Sequence, residues 1–298
     1  MGRLPFVSGG QGGIRTHDTV ARIQHFQCCS FNRSDTCPGC RKCSREARPP
    51  GRVPFPGVTD VQGILAIDKP AGMSSMKAVA FVRQRAGGAR TGHAGTLDPL
   101  ATGVLVVAIG GHTKLLNSLM ATEKRYLTTI DLSAFTETDD TEGARTEVRP
   151  GSPGARPAPP TREEIERLLA ERFTGTVMQR PPAFSAKKVD GRRAYDMARK
   201  GEAPVLEPKP VTIHEVRVTD YAWPVLSLDV HCGKGTYVRS IARELGTALG
   251  TGGHCTMIRR TAVGAYSLDV AVPLKSLPAK ITQEWLDSTG QRPSRDAR

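Results

Sequence analysis

Residues 92–110, GHAGTLDPLATGVLVVAIG, constrain this chain more than any other segment. Its first half carries glycines at 92, 95 and 103 and a proline at 99. Glycine lacks a Cβ, so its backbone can lie close against a ligand such as a nucleotide, and the proline ring stiffens the loop between. Its second half, Val104 to Ile109, is a near-continuous apolar run. Such a run reads as a strand covered on both faces, because a half-exposed strand would alternate. A Gly-rich loop is thus fastened to a hydrophobic core, and it contains one acidic side chain, Asp98. Taken alone, an Asp-Pro pair is first of all a turn.

The segments around it read as a mixture of strands and helices. GILAID, residues 63–68, is a short run of strand formers, and Lys69-Pro70-Ala71-Gly72 is a turn. Ser74 or Ser75 can cap a following helix, with Val79 and Val82 on one face and Gly87-Gly88 as its stop. Arg83, Arg85 and Arg90 either face a polyanion or are solvated helix charges. Tyr126, Thr128 and Ile130 alternate, which predicts a strand. Pro150 to Pro160 is a loop rich in Pro, Gly and Ala. Thr161 and Glu164 then have capping-box spacing before a stripe of Ile165, Leu168, Leu169 and Phe173. The basic run Ser185 to Tyr195 turns at Asp190-Gly191, as a phosphate-binding hairpin or an ordinary exposed one. Val225 to Cys232 alternates as a strand with Leu226, Leu228 and Val230 on one face. Gly233-Lys234-Gly235 leads into a helix buried through Val238, Ile241, Ala242, Leu245 and Leu249. Arg239 falls in that helix's first turn, where a cation opposes the helix dipole, so the position asks for a functional reason.

The 298 residues carry a formal charge of +13 with a sequence pI near 9.7. A basic surface raises the local concentration of phosphates, which favours a polyanionic partner. Residues 1–60 hold nine Lys/Arg and four Asp/Glu, so +8 remains in the rest. No apolar run of about 18 residues, as a membrane span requires, and no secretory signal pattern occurs, so the expected compartment is the cytoplasm. Neither a GxxxxGK[ST] loop nor a GxGxxG loop is present, and no nucleotide cofactor is implied.

Five cysteines, Cys28, Cys29, Cys37, Cys40 and Cys43, crowd the first 60 residues. Cys37-Pro-Gly-Cys40 has metal-knuckle spacing, but no second CxxC or paired histidines follow, so no metal is expected. Gly13 to Asp18, GIRTHD, back-translates to the complement of a tRNA T-arm, which suggests a start codon misplaced over an upstream tRNA gene. The domain reading is therefore a disordered or misassigned extension over 1–60, a folded domain over 61–278, and a polar tail over 279–298 too short for a further domain.

DKPAGMSS, GHAGTLDPLATGVL, EKRY, SAKKVDGRRAY and GKGTYVRSIARELG follow one another over about Gly63 to Leu274. In that order they resemble the bacterial tRNA pseudouridine-55 synthases, the TruB family. The ribosomal-RNA sibling family differs, with an HRLD signature around its aspartate. The resemblance implies an α+β pseudouridine synthase fold: a mixed, mostly antiparallel sheet flanked by helices, with the active cleft across its middle.

It also implies an isomerase that converts a T-loop uridine of tRNA to pseudouridine. The reaction breaks the N1–C1′ bond, turns the retained uracil and joins C5 to C1′. It requires no redox change and no group donor, hence no cofactor. By the resemblance Asp98 is the catalytic carboxylate, Arg239 its ion-pair partner, and Tyr126 the residue that stacks on the base and a candidate for proton abstraction. His93 helps hold the base out of the helical stack, a step that costs a few kcal/mol. Lys69, Lys114 and Lys234 contact phosphates or the Asp98 cleft, and Leu245 shapes its far wall. The partner is the tRNA T-arm, with no membrane, no obligatory protein partner and a monomeric chain. The alternatives are a guide-dependent relative acting on ribosomal RNA and a non-catalytic tRNA-folding chaperone.

Overall fold

A computed structural model describes residues 60–184, 206–289 and 291, and the short strands at 188–189 and 192–193. The cysteine-rich N-terminal segment and most of the Ser185 to Tyr195 motif lie outside the described residues.

β1 (Gly63–Lys69) leads through α1 (Ser75–Arg85) to β2 (Thr91–His93) and β3 (Thr102–Ile109). A 3-10 turn (Gly110–Leu115) and α2 (Leu116–Ala121) precede β4 (Lys124–Asp131), β5 (Ala134–Thr136) and β6 (Arg145–Glu147). After α3 (Arg162–Arg172) come β7 (Gly175–Gln179), β8 (Lys188–Val189), β9 (Arg192–Arg193), β10 (Lys209–Ala222) and β11 (Val225–Cys232). The order continues with α4 (Val238–Leu249), β12 (His254–Val263), β13 (Tyr266–Ser267), β14 (Val272–Pro273) and α5 (Gln283–Ser288).

Ten strands form one sheet in the order β14-β1-β3-β12-β4-β11-β10-β7, with β2 against β3 and β13 against β12. Only β14 with β1 and β12 with β3 run parallel, so the sheet is mixed and mostly antiparallel as expected. β3 lies inside it, and its apolar run is covered on both faces. Leu105, Val107 and Ile109 join the main core, whereas Val104 and Val106 pack with Ile64, Ala66 and Tyr266 on the other side.

The helices form for the reasons the pattern suggested. Ser74 Oγ accepts the Lys77 N–H at the start of α1, and Gly87 and Gly88 follow its end with φ of 65° and 84°. Thr161 and Glu164 make both hydrogen bonds of a capping box on α3. α4 buries Val238, Ile241, Ala242, Leu245 and Leu249 and ends at Gly250 in the left-handed region.

Two expectations need correction. The residues after 278 are not merely a polar tail: Ile281 and Leu286 are buried in the main core, and the Ile281 N–H donates to the Arg85 carbonyl. Gln283 also exchanges hydrogen bonds with the Gln62 backbone, which ties α5 to the start of β1. The glycines of the 92–110 segment do not all serve a ligand. A Cβ on Gly103, whose φ is +100°, would lie 2.1 Å from the Arg260 carbonyl oxygen, and one on Gly92 would lie 2.6 Å from Leu116. Gly103 is there because β12 approaches too closely for a side chain.

Candidate active site

The loop between β2 and β3, the start of α4, and strands β4 and β12 meet around a cavity of about 600 Å³. Its wall includes Asp98, Tyr126, Lys234, Arg239 and Arg260.

Asp98 is held from both ends of its loop. Ser75 Oγ donates to the Leu97 carbonyl and accepts the Leu97 N–H, each at 2.8 Å. The Gly72 N–H donates to the Pro99 carbonyl at 2.8 Å. Lys69, fully buried, donates from Nζ to the carbonyls of Pro70 (2.9 Å), Met73 (2.6 Å) and Pro99 (3.4 Å). The DKPAGMSS segment is thus the clamp that fixes the backbone on either side of Asp98, and Lys69 is too deep to meet a phosphate. Burial lowers the Lys69 ammonium to about 8, with the Asp98 charge opposing and Arg260 reinforcing.

Arg239 Nη2 lies 2.8 Å from Asp98 Oδ2. The same guanidinium reaches Asp140 Oδ2 from Nη1 at 3.2 Å and donates to the carbonyls of Thr138 (2.8 Å) and Phe184 (3.0 Å). Arg239 and Asp140 each keep 5% of the side chain exposed, while Asp98 keeps 39%. The pair therefore has a closed end at Asp140 and an open end at Asp98. The unfavourable cation in the first turn of α4 is explained, since two carboxylates and two carbonyls surround it. Burial raises the Asp98 carboxyl above the usual carboxylate value and Asp140 adds to this, while Arg239 and Lys69 oppose it. Asp139 adopts a left-handed φ of 60° and pairs with Arg243, one helical turn beyond Arg239. The turn at 138–142 thereby receives both arginines. Neither Asp139 nor Asp140 stood out in the sequence.

Tyr126 is 9% exposed and lies on the cavity wall. Burial raises its hydroxyl above the ordinary phenol value, with neighbouring Arg260 opposing, so the group is a neutral phenol near pH 7. Arg260 is 1% exposed and donates to the Val104 carbonyl (2.7 Å) and the Gly95 carbonyl (3.1 Å). No carboxylate forms an ion pair with it among the described residues. Sequence reasoning missed Arg260. A cation in a strand pattern such as IRRTAV reads as solvated, and only the facing carbonyls show otherwise.

The other expected residues divide. Lys234 lines the cavity. Lys114 is exposed on the 3-10 turn and is not part of the wall. His93 pairs in register with Val107 and is not among the residues that line the cavity. Burial and Arg260 push its imidazole below the ordinary value, and its buried Nδ1 has no hydrogen-bond partner among the described residues. Leu245 is fully buried in the core and does not form the far wall; Val238, Ile258 and Val211 contribute apolar lining instead.

The family model described as TruB family pseudouridylate synthase (N terminal domain) matches residues 83–238. The model for the tRNA pseudouridylate synthase B C-terminal domain continues over 239–289. The fold is that of a pseudouridine synthase. The chain belongs to the TruB family. It is similar to the tRNA pseudouridine synthase B of Thermobifida fusca (strain YX), 46% identical over 228 residues that cover 74% of this chain and 75% of that protein. It is 44% identical to the protein of the same name from Rhodopseudomonas palustris, over 74% of this chain but 58% of the longer relative. Among solved structures, a crystal structure of a Cbf5-Nop10-Gar1 complex matches with a TM-score of 0.55 and 25% identity, over 72% of this chain and 53% of the other. Among the described residues, no helix is long and apolar enough to cross a membrane.

Proposed function

We propose that this chain is an isomerase that converts a uridine in the T-loop of tRNA to pseudouridine, with Asp98 as its catalytic carboxylate. The observation that carries this reading is the Asp98–Arg239 pair at the cavity wall, open to solvent only at Asp98.

Arg239 binds Oδ2, and among the described residues no hydrogen bond or ion pair engages the other carboxylate oxygen. An ion pair so placed opposes the upward push that burial gives the carboxyl, and orients it. Tyr126 offers its ring as a stacking surface for a base turned out of the T-loop. A neutral phenol is not a base, so to abstract a proton Tyr126 must first release its own to solvent, and Arg260 beside it lowers the cost of the phenolate so formed. The apolar wall retains the free uracil while it turns.

Lys234 and Lys209 at the wall, on a chain of net charge +13, supply contacts for the RNA backbone. Such contacts offset the few kcal/mol of unstacking the target base. The activity is assigned to the domain that begins at residue 61 and includes α5, acting as a monomer without a protein partner. The purified chain should convert a single uridine in an isolated T-arm stem-loop, read by nuclease digestion and mass spectrometry. A requirement for a guide RNA or partner proteins would overturn the reading.

A further inference from the structure

Away from the Asp98 pair, three side chains with metal-binding chemistry converge where β4, β10 and β11 run side by side. Glu123 stands one residue ahead of β4, His231 lies on β11 opposite Arg125, and His214 lies on β10. The pairing of β10 with β11 shifts register between Ile213 and Glu215, which makes His214 the extra residue of a β-bulge. A bulge breaks strict alternation and re-aims one side chain. Here it leaves the His214 and His231 rings 4.8 Å apart, centroid to centroid. Glu123 closes the group, with Oε2 2.8 Å from His231 Nε2 and Oε1 3.4 Å from His214 Nε2.

We propose that Glu123, His214 and His231 form a surface site for a divalent transition-metal ion of the zinc class. Ligands at about 2.0–2.2 Å in a tetrahedron lie roughly 3.3 Å from one another. The two separations bracket that value, and all three ligand atoms fall within 4.8 Å of one another, so a modest rotation of the exposed Glu123 and His214 side chains about the half-buried His231 completes the geometry. Two imidazoles and one carboxylate suit zinc, cobalt or nickel. Magnesium and calcium call for a shell made mainly of oxygen, which these residues do not supply.

The ion-free arrangement is a different one, and the difference is testable. Arg125 Nη2 lies 3.3 Å from His231 Nδ1, so that nitrogen accepts and Nε2 carries the hydrogen directed at Glu123. A metal on Nε2 moves the hydrogen to Nδ1, and the exposed Arg125 must turn away. The site adjoins the cleft: Glu123 precedes Lys124, and His214 Nε2 approaches Gly233, both of which line the cavity.

The test is Co2+ and Zn2+ titration of the full chain, in a background where Cys28, Cys29, Cys37, Cys40 and Cys43 are serine so that thiolates do not compete. We expect one ion per chain at neutral pH, and a Co2+ spectrum without thiolate charge-transfer bands. Binding should weaken as pH falls, because metal ligation requires the neutral imidazole. His214→Ala, His231→Ala and Glu123→Gln should each weaken binding by ~10- to 100-fold or more, whereas Arg125→Ala should tighten it. All three ligands are on the surface, and an unchanged Tm confirms that the variants fold. Affinity unchanged in the histidine variants, or no binding at millimolar metal, would overturn the proposal.

Discussion

Arg239 and Arg260 are buried beside the same cavity, but their charges are handled in opposite ways. Arg239 faces two carboxylates, Asp98 and Asp140. Arg260 faces the carbonyls of Val104 and Gly95 and no ion-pair partner among the described residues. One side of the cleft is therefore internally neutralised, and its geometry is set before any ligand arrives. The other side keeps an uncompensated positive charge, and its influence is visible around it. Arg260 contributes to lowering the pKa of Lys69, His93 and Lys124, and it opposes the rise at Tyr126. The neutralised side orients a reactive carboxylate; the cationic side is suited to negative charge brought by the substrate or developed during the reaction.

The comparison breaks most visibly at Arg239. Arg239→Met should lower single-turnover pseudouridine formation by about 10²–10³, in the range for a lost preorganised donor. It should also cost about 3–5 kcal/mol in urea denaturation, because Asp140 would be left buried without its partner. The same variant should move the rise of activity with pH further upward, since Arg239 is the first influence that holds the Asp98 carboxyl down. Asp140→Asn should be milder. Arg239 then retains Asp98 and two carbonyls, so a stability loss of about 1–3 kcal/mol is expected with activity only partly reduced.

Arg260→Met tests the other side. It leaves two buried carbonyls unsatisfied, for a loss of about 1–3 kcal/mol in denaturation. His93 should then titrate at higher pH by NMR, because a cation that disfavours the imidazolium is gone. An unchanged His93 titration would show that the Arg260 charge is screened. The smallest effect is expected at the rim. Lys234→Ala should reduce the slope of tRNA affinity against log salt by roughly one unit, and Lys114→Ala should leave it nearly unchanged.

Much of the site was legible where a residue type conflicted with its local setting. Arg239 opposes the dipole of α4, and that conflict marked it before its partners were known. The buried run of β3 followed from its lack of alternation, and the stripe of α4 from its helical period. Asp140 and Arg260 were not legible. Both are charges whose partners lie far away in sequence, 99 residues for Asp140 to Arg239 and 156 for Arg260 to Val104. Nothing local distinguishes such a charge from a solvated one. Lys69 and Leu245 were assigned to the cleft through the family motifs, but the structure places one in a backbone clamp and the other in the core. The glycines at 92, 95 and 103 show the same limit, since Gly103 answers to a neighbouring strand and, of the three, Gly95 lines the cavity.

Asp98→Asn measures the central claim most directly. The readout is tritium release from 5-tritiated uridine in a T-arm substrate, alongside binding affinity and Tm. Burial raises the Asp98 carboxyl, so its ionised form costs the folded state stability at neutral pH, and a neutral asparagine should leave Tm unchanged or higher. The account predicts release reduced by at least about 10⁴, as for loss of a catalytic group, with RNA affinity retained. Equal release from wild type and Asp98→Asn would contradict it.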